Sequence, residues 1–195
     1  MRLKRQGLLS SLLAGATPTQ EFATKKTCSR ILPLAMLLWG VGLCACGDSA
    51  PELRRYELRL QGTTSRFSTT YLSASAVQVT LGGAPLRTEL LPSSQEMDVA
   101  NPTHAHLVAW FWLTSEQVRD GVLEATVILD DFGAFEATDG SAGFVDAREA
   151  PLRLKLQGDA LERNGRAVIH IDLDRSLGAE RQGSRPLLPH LRLVY

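Results

Sequence analysis

Beyond residue 52 the chain alternates. Tyr56, Leu58 and Leu60 are interleaved with Glu57 and Arg59. That is the period of a strand with one face in a core and the other in water. Val77, Val79 and Leu81 alternate with Gln78 and Thr80, and Gly82-Gly83 then predicts a turn. Residues 86–91 read as the next strand, ended by Pro92-Ser93-Ser94, and residues 97–99 as a short edge strand stopped by Asn101-Pro102. Residues 104–113 are apolar on both faces, which predicts an internal strand. Thr114-Ser115-Glu116-Gln117 matches a capping box and predicts one helical turn ending at Asp120-Gly121. Strands follow over 122–129, 152–156, 167–173 and 191–194. Residues 130–143 read as a polar, Gly-rich loop with a short strand near 132–136, and residues 158–165 as a turn region. About eight or nine short strands, with no sustained 3.6-residue period among them, predict one all-β domain. The expected architecture is an antiparallel β-sandwich, immunoglobulin-like or prealbumin-like, over residues 53–195.

The N-terminal pattern is different. Lys25, Lys26 and Arg30 precede an uncharged window of 17 residues, 31–47, that includes Pro33, Gly40 and Gly42. This length is at the lower limit for a spanning helix, so a signal h-region is expected. The window ends in Leu43-Cys44-Ala45-Cys46-Gly47, which resembles a bacterial lipobox. By that resemblance Leu43 and Ala45 fit the signal peptidase, cleavage falls before Cys46, and Cys46 carries the lipid. Residues 1–45 are then a lipoprotein signal peptide and 46–52 a lipidated tether. Arg2, Lys4 and Arg5 followed by Leu8-Leu9 resemble a second, weaker signal start, as in an over-extended N-terminus. Multiple acyl chains of the palmitate kind on Cys46 would anchor the protein stably in a lipid bilayer. Gly47 stands where an Asp retains many such proteins in the inner membrane. The outer membrane of the bacterial envelope is therefore the expected location.

Removing the signal changes the composition. The three cysteines are Cys28, Cys44 and Cys46, so the mature domain has neither a disulfide nor a free thiol. The full chain balances 21 basic against 21 acidic residues; residues 46–195 retain 15 basic and 20 acidic. A mildly acidic domain without a basic cluster argues against nucleic acid as a partner. Envelope proteins or glycans are the partners that the expected location offers.

Candidate chemistry is sparse. His170, Asp172 and Asp174 alternate on one strand, and imidazole with carboxylates at that spacing can bind a divalent metal; a solvent-facing polar stripe is the simpler expectation. His104 and His106 share a face and would make a three-histidine site if His170 were adjacent, the arrangement a metal-dependent enzyme would need. Asp130 and Asp131, with Glu136, Asp139 and Asp146, make an acidic segment that could hold calcium, though not at EF-hand spacing. Trp110 and Trp112 lie two apart. Exposed, they would form the sugar-stacking platform of a carbohydrate-binding module; because the other face of their strand is apolar, they are expected in the core. No G-x-S-x-G, H-E-x-x-H or P-loop is present. The expectation is a non-enzymatic domain without a cofactor.

The C-terminal stretches Val168-Ile169-His170-Ile171-Asp172-Leu173-Asp174-Arg175-Ser176-Leu177 and Pro186-Leu187-Leu188-Pro189-His190-Leu191-Arg192-Leu193-Val194 resemble the end of an uncharacterised bacterial family of lipoprotein-type β-sandwich domains. The strand at 121–129 resembles that family as well. The resemblance implies the fold and the envelope location, and it carries no catalytic residue.

Overall fold

A computed structural model describes residues 51–195, and every structural statement below concerns that segment. Its strands are β1 (Arg54–Thr63), β2 (Phe67–Leu72), β3 (Ala74–Leu81), β4 (Ala84–Pro85), β5 (Thr88–Leu90), β6 (Met97–Asp98) and β7 (His106–Leu113). After a short helix, α1 (Ser115–Asp120), come β8 (Leu123–Leu129), β9 (Phe132–Ala137), β10 (Ala142–Asp146) and β11 (Leu152–Leu156). Helix α2 (Gly158–Asn164), β12 (Arg166–Asp172), the single turn α3 (Leu173–Ser176), β13 (Ser184–Pro186) and β14 (Leu191–Val194) complete the domain.

The strands form three sheets, ordered β14-β12-β1-β7-β5, β13-β10-β9-β2-β6 and β11-β8-β3-β4. The second and third share two continuous runs of chain, β2 into β3 and β8 into β9. β3 pairs with β8 and β2 with β9, both antiparallel, and the two ladders meet where the Asp130 N–H donates to the Ser73 carbonyl at 2.8 Å. The chain bends there and continues. All three sheets contribute to one core: Leu58, Phe111 and Ile169 from the first, Leu72, Phe135 and Val145 from the second, and Val79, Val127 and Leu152 from the third.

The architecture is all-β, but it is mixed rather than antiparallel. β1 runs parallel to β12, with Glu57 opposite Arg166 and Thr63 opposite Asp172, and β10 runs parallel to β13. The segment read as a polar loop over 130–143 is a hairpin, β9 with β10. Its strands are hard to see because only Phe135 and Val145 turn inward, while Phe132 and Phe144 are exposed. β2 was not expected as a strand either. A register irregularity between Phe67 and Thr69 breaks its alternation, and one of its inward positions is the buried Thr70.

The expected capping box is present: Thr114 Oγ1 accepts from the Gln117 N–H, and Gln117 Oε1 accepts from the Thr114 N–H. The expected turn over 158–165 is helix α2, which buries Ala160 and Leu161 and packs on α1. The approach is close enough that a Cβ on Gly158 would stand 1.8 Å from the Val118 carbonyl oxygen. The helix ends at Gly165 in the left-handed region, φ 67°, a conformation that costs glycine little.

Candidate functional site

The first sheet turns Leu58, Ala109, Phe111, Ile169 and Ile171 into the core. Its other face is built by register. Arg55 lies opposite Trp112 and Glu57 opposite Trp110; farther along, Gln61 lies opposite His170, Thr63 opposite Asp172, and His170 opposite Arg192. Two clusters result, one at each end of β1.

At the β1 start, the Arg55 guanidinium sits 4.3 Å from the Trp110 ring centroid and that of Arg87 sits 4.5 Å from Trp112. The strand β7 is internal, as expected, yet its indoles are half-buried on the outer face rather than in the core. Ala109, Phe111 and Leu113 fill the inward positions, and arginine groups cover the rings in place of a second layer of protein. Trp110 Nε1 is buried and has no hydrogen-bond partner among the described residues.

At the β1 end, Thr63, His170, Asp172, Arg175, His190 and Arg192 surround an open depression of about 380 Å³. His170 and Asp172 point into it from β12, and His190 and Arg192 arrive with β14, where the Asp172 N–H donates to the His190 carbonyl. The Asp172 carboxylate accepts the Arg175 N–H at 3.2 Å and so caps α3. His170 Nδ1 is buried without a hydrogen-bond partner among the described residues. Burial, and then the positive charge of Arg192, push the His170 imidazole below its usual pKa.

Asp174 does not join this group, contrary to the alternation. β12 ends at Asp172, and the turn of α3 swings Asp174 toward the loop after β1. There it accepts from Thr64 Oγ1 at 2.6 Å, from Ser65 N and Oγ at 2.9 and 2.7 Å, and from Arg66 Nε at 3.4 Å. Burial pushes its carboxyl up, but those hydrogen bonds outweigh it and hold the group well below the usual carboxylate range.

The remaining candidates are dispersed. His104 and His106 stack edge-to-face with centroids 4.5 Å apart, and His106 Nε2 meets the Asp98 carbonyl at 2.9 Å. His104 lies just before β7, and β1 separates β7 from β12, so His170 is not the neighbour of His106 in the sheet. Asp130 and Asp131 lie at the bend between β8 and β9. Asp139 accepts from the Ser141 hydroxyl and N–H, and Asp146 pairs with Arg148 at 2.6 Å; these bonds hold both carboxyls below their usual pKa. Among the described residues no group of three or more His, Cys, Asp or Glu is placed to hold a metal ion. Leu43, Ala45 and Cys46 lie outside the described residues.

His190, Arg192 and Arg175 were not read as site residues from the sequence. The one available signal was weak: His190, Arg192 and Val194 alternate, but only the pairing of β14 with β12 places them beside His170. No family model, curated protein or solved structure matches the chain.

Proposed function

We propose that this protein is a bacterial envelope lipoprotein, anchored in the bilayer through acylated Cys46 and carrying a non-enzymatic binding or structural domain. The observation that carries the proposal is the run Leu43-Cys44-Ala45-Cys46 at the end of an uncharged window, seven residues before β1 begins at Arg54. A tether of that length spans at most about 28 Å. The domain would therefore stay close to the membrane, in the outer membrane by the lack of Asp at position 47. In the same proposal the three sheets are a variant of the immunoglobulin-like or prealbumin-like sandwich, the first facing the other two across the shared core.

Geometry weighs against the two alternatives. A sugar platform on Trp110 and Trp112 would have to displace the guanidiniums over both rings. A metal-dependent enzyme would need His104 and His106 beside His170, and β1 lies between them. The decisive experiment is radiolabelled palmitate incorporation in bacteria expressing the full chain or Cys46→Ser. Label in the first and none in the second is expected. An unlabelled wild-type protein, or equal labelling of the variant, would sink the proposal.

A further inference from the structure

We propose that the depression between the ends of β1, β12 and β14 is a binding site for a phosphate-type oxyanion, free or as the phosphomonoester headgroup of a lipid. The proposal does not depend on the anchor.

Three observations meet there. The first is charge. Arg175 and Arg192 are exposed, border the same depression, and form no ion pair among the described residues. The lining holds one carboxylate, Asp172, against these two guanidiniums, which leaves it a net positive charge, and Asp174 is turned away onto Thr64 and Ser65. The second is the donor set. Two guanidiniums, two imidazoles and the Thr63 hydroxyl offer more donors than the two oxygens of a carboxylate can accept; a phosphate, with three or four oxygens, suits them better. The third is the His170 ring, which borders the depression while its Nδ1 is buried and without a partner among the described residues, leaving Nε2 as the nitrogen that can face an anion.

Size alone would not single out this place. A second depression, of about 440 Å³, lies by Asp146, Arg148 and Glu149, but there Arg148 is held bidentately by Asp146 at 2.9 and 2.6 Å. At about 380 Å³ the first can admit a phosphomonoester as well as the bare ion. An anion placed between Arg192 and the His170 ring would also oppose the charge that now disfavours the imidazolium.

The test is titration of the full-length chain in detergent with inorganic phosphate at constant ionic strength. Histidine ring resonances are followed by NMR, with Arg175→Gln/Arg192→Gln as the comparison. Both arginines are exposed, and an unchanged circular dichroism spectrum and melting temperature verify that the variant folds. Saturable shifts of the His170 and His190 rings are expected, with the His170 pKa rising by about one unit. Affinity should fall at least about tenfold in the double variant. A parallel arm uses dihexanoyl phosphatidic acid below its micelle concentration. Tighter binding there, lost in the variant, points to a lipid headgroup; binding no tighter than that of inorganic phosphate points to the free ion. Shifts reproduced by chloride, or equal in the variant, overturn the proposal, as does the absence of saturation with both probes.

Discussion

Asp174 gathers three residues of a distant loop. Thr64, Ser65 and Arg66 all donate to it across more than 100 positions of sequence, closing the connection from β1 to β2 onto α3. Its folded-state pKa is depressed, so its stabilisation is present above the ordinary carboxyl value of 3.8 and is lost as pH falls below it. Asp174→Asn should cost about 1–2 kcal/mol at pH 7, a figure discounted for the water that reaches the site. The gap from wild type should narrow below about pH 4. Urea unfolding at a series of pH values measures both, and a gap constant with pH would contradict the assignment. At this scale the sequence was half legible. It put Asp174 on the alternating stripe of His170 and Asp172, whereas its partners lie in a loop that no local pattern connects to it. Likewise β7 was correctly read as internal, while the apolar character of both its faces hid which one the indoles occupy.

Between elements, the packing of α1 against α2 is set by a residue without a side chain. At Gly158 a methyl group would meet the backbone of Val118, which cannot swing aside; at Gly165 nothing lies within 4 Å of the same methyl, and only the positive φ is strained. Gly158→Ala is therefore expected to cost about 2–3 kcal/mol by overpacking. Gly165→Ala is expected to cost about 1 kcal/mol, from backbone strain alone. Thermal unfolding of the two variants should rank them in that order; the reverse order would mean that the helices do not touch there. The capping box of α1 was plain in the sequence because its partners are three residues apart. Helix α2 was not, because its seven residues begin with glycine and bury only Ala160 and Leu161, too short a stripe to show a helical period.

Across the whole molecule, the all-β class followed from alternation, but the parallel pairings did not. Strand direction and order depend on contacts between segments far apart, for which two-residue periodicity carries no signature. The C-terminus illustrates this. Leu191, Leu193 and Tyr195 pack against the core, and the Tyr195 hydroxyl accepts the Gln157 N–H at 2.6 Å. Tyr195→Phe should lower stability by about 1 kcal/mol through that bond. Ending the chain at His190 should abolish the cooperative thermal transition, since it uncovers β12 beside the central strand. A cooperative melt of the truncated chain would show that β14 is dispensable.

The position of β1 between β12 and β7 also has a consequence in time. In synthesis or export that proceeds from the N-terminus, β1 is the first strand delivered, and its parallel partner over Arg166–Asp172 is among the last. The centre of the first sheet must stay open until nearly the entire chain has arrived. Topologies dominated by such distant pairings close slowly, over about milliseconds to seconds, and meanwhile leave strand edges exposed to other chains. The vulnerable period of this protein is thus the interval in which its first strand waits for its twelfth.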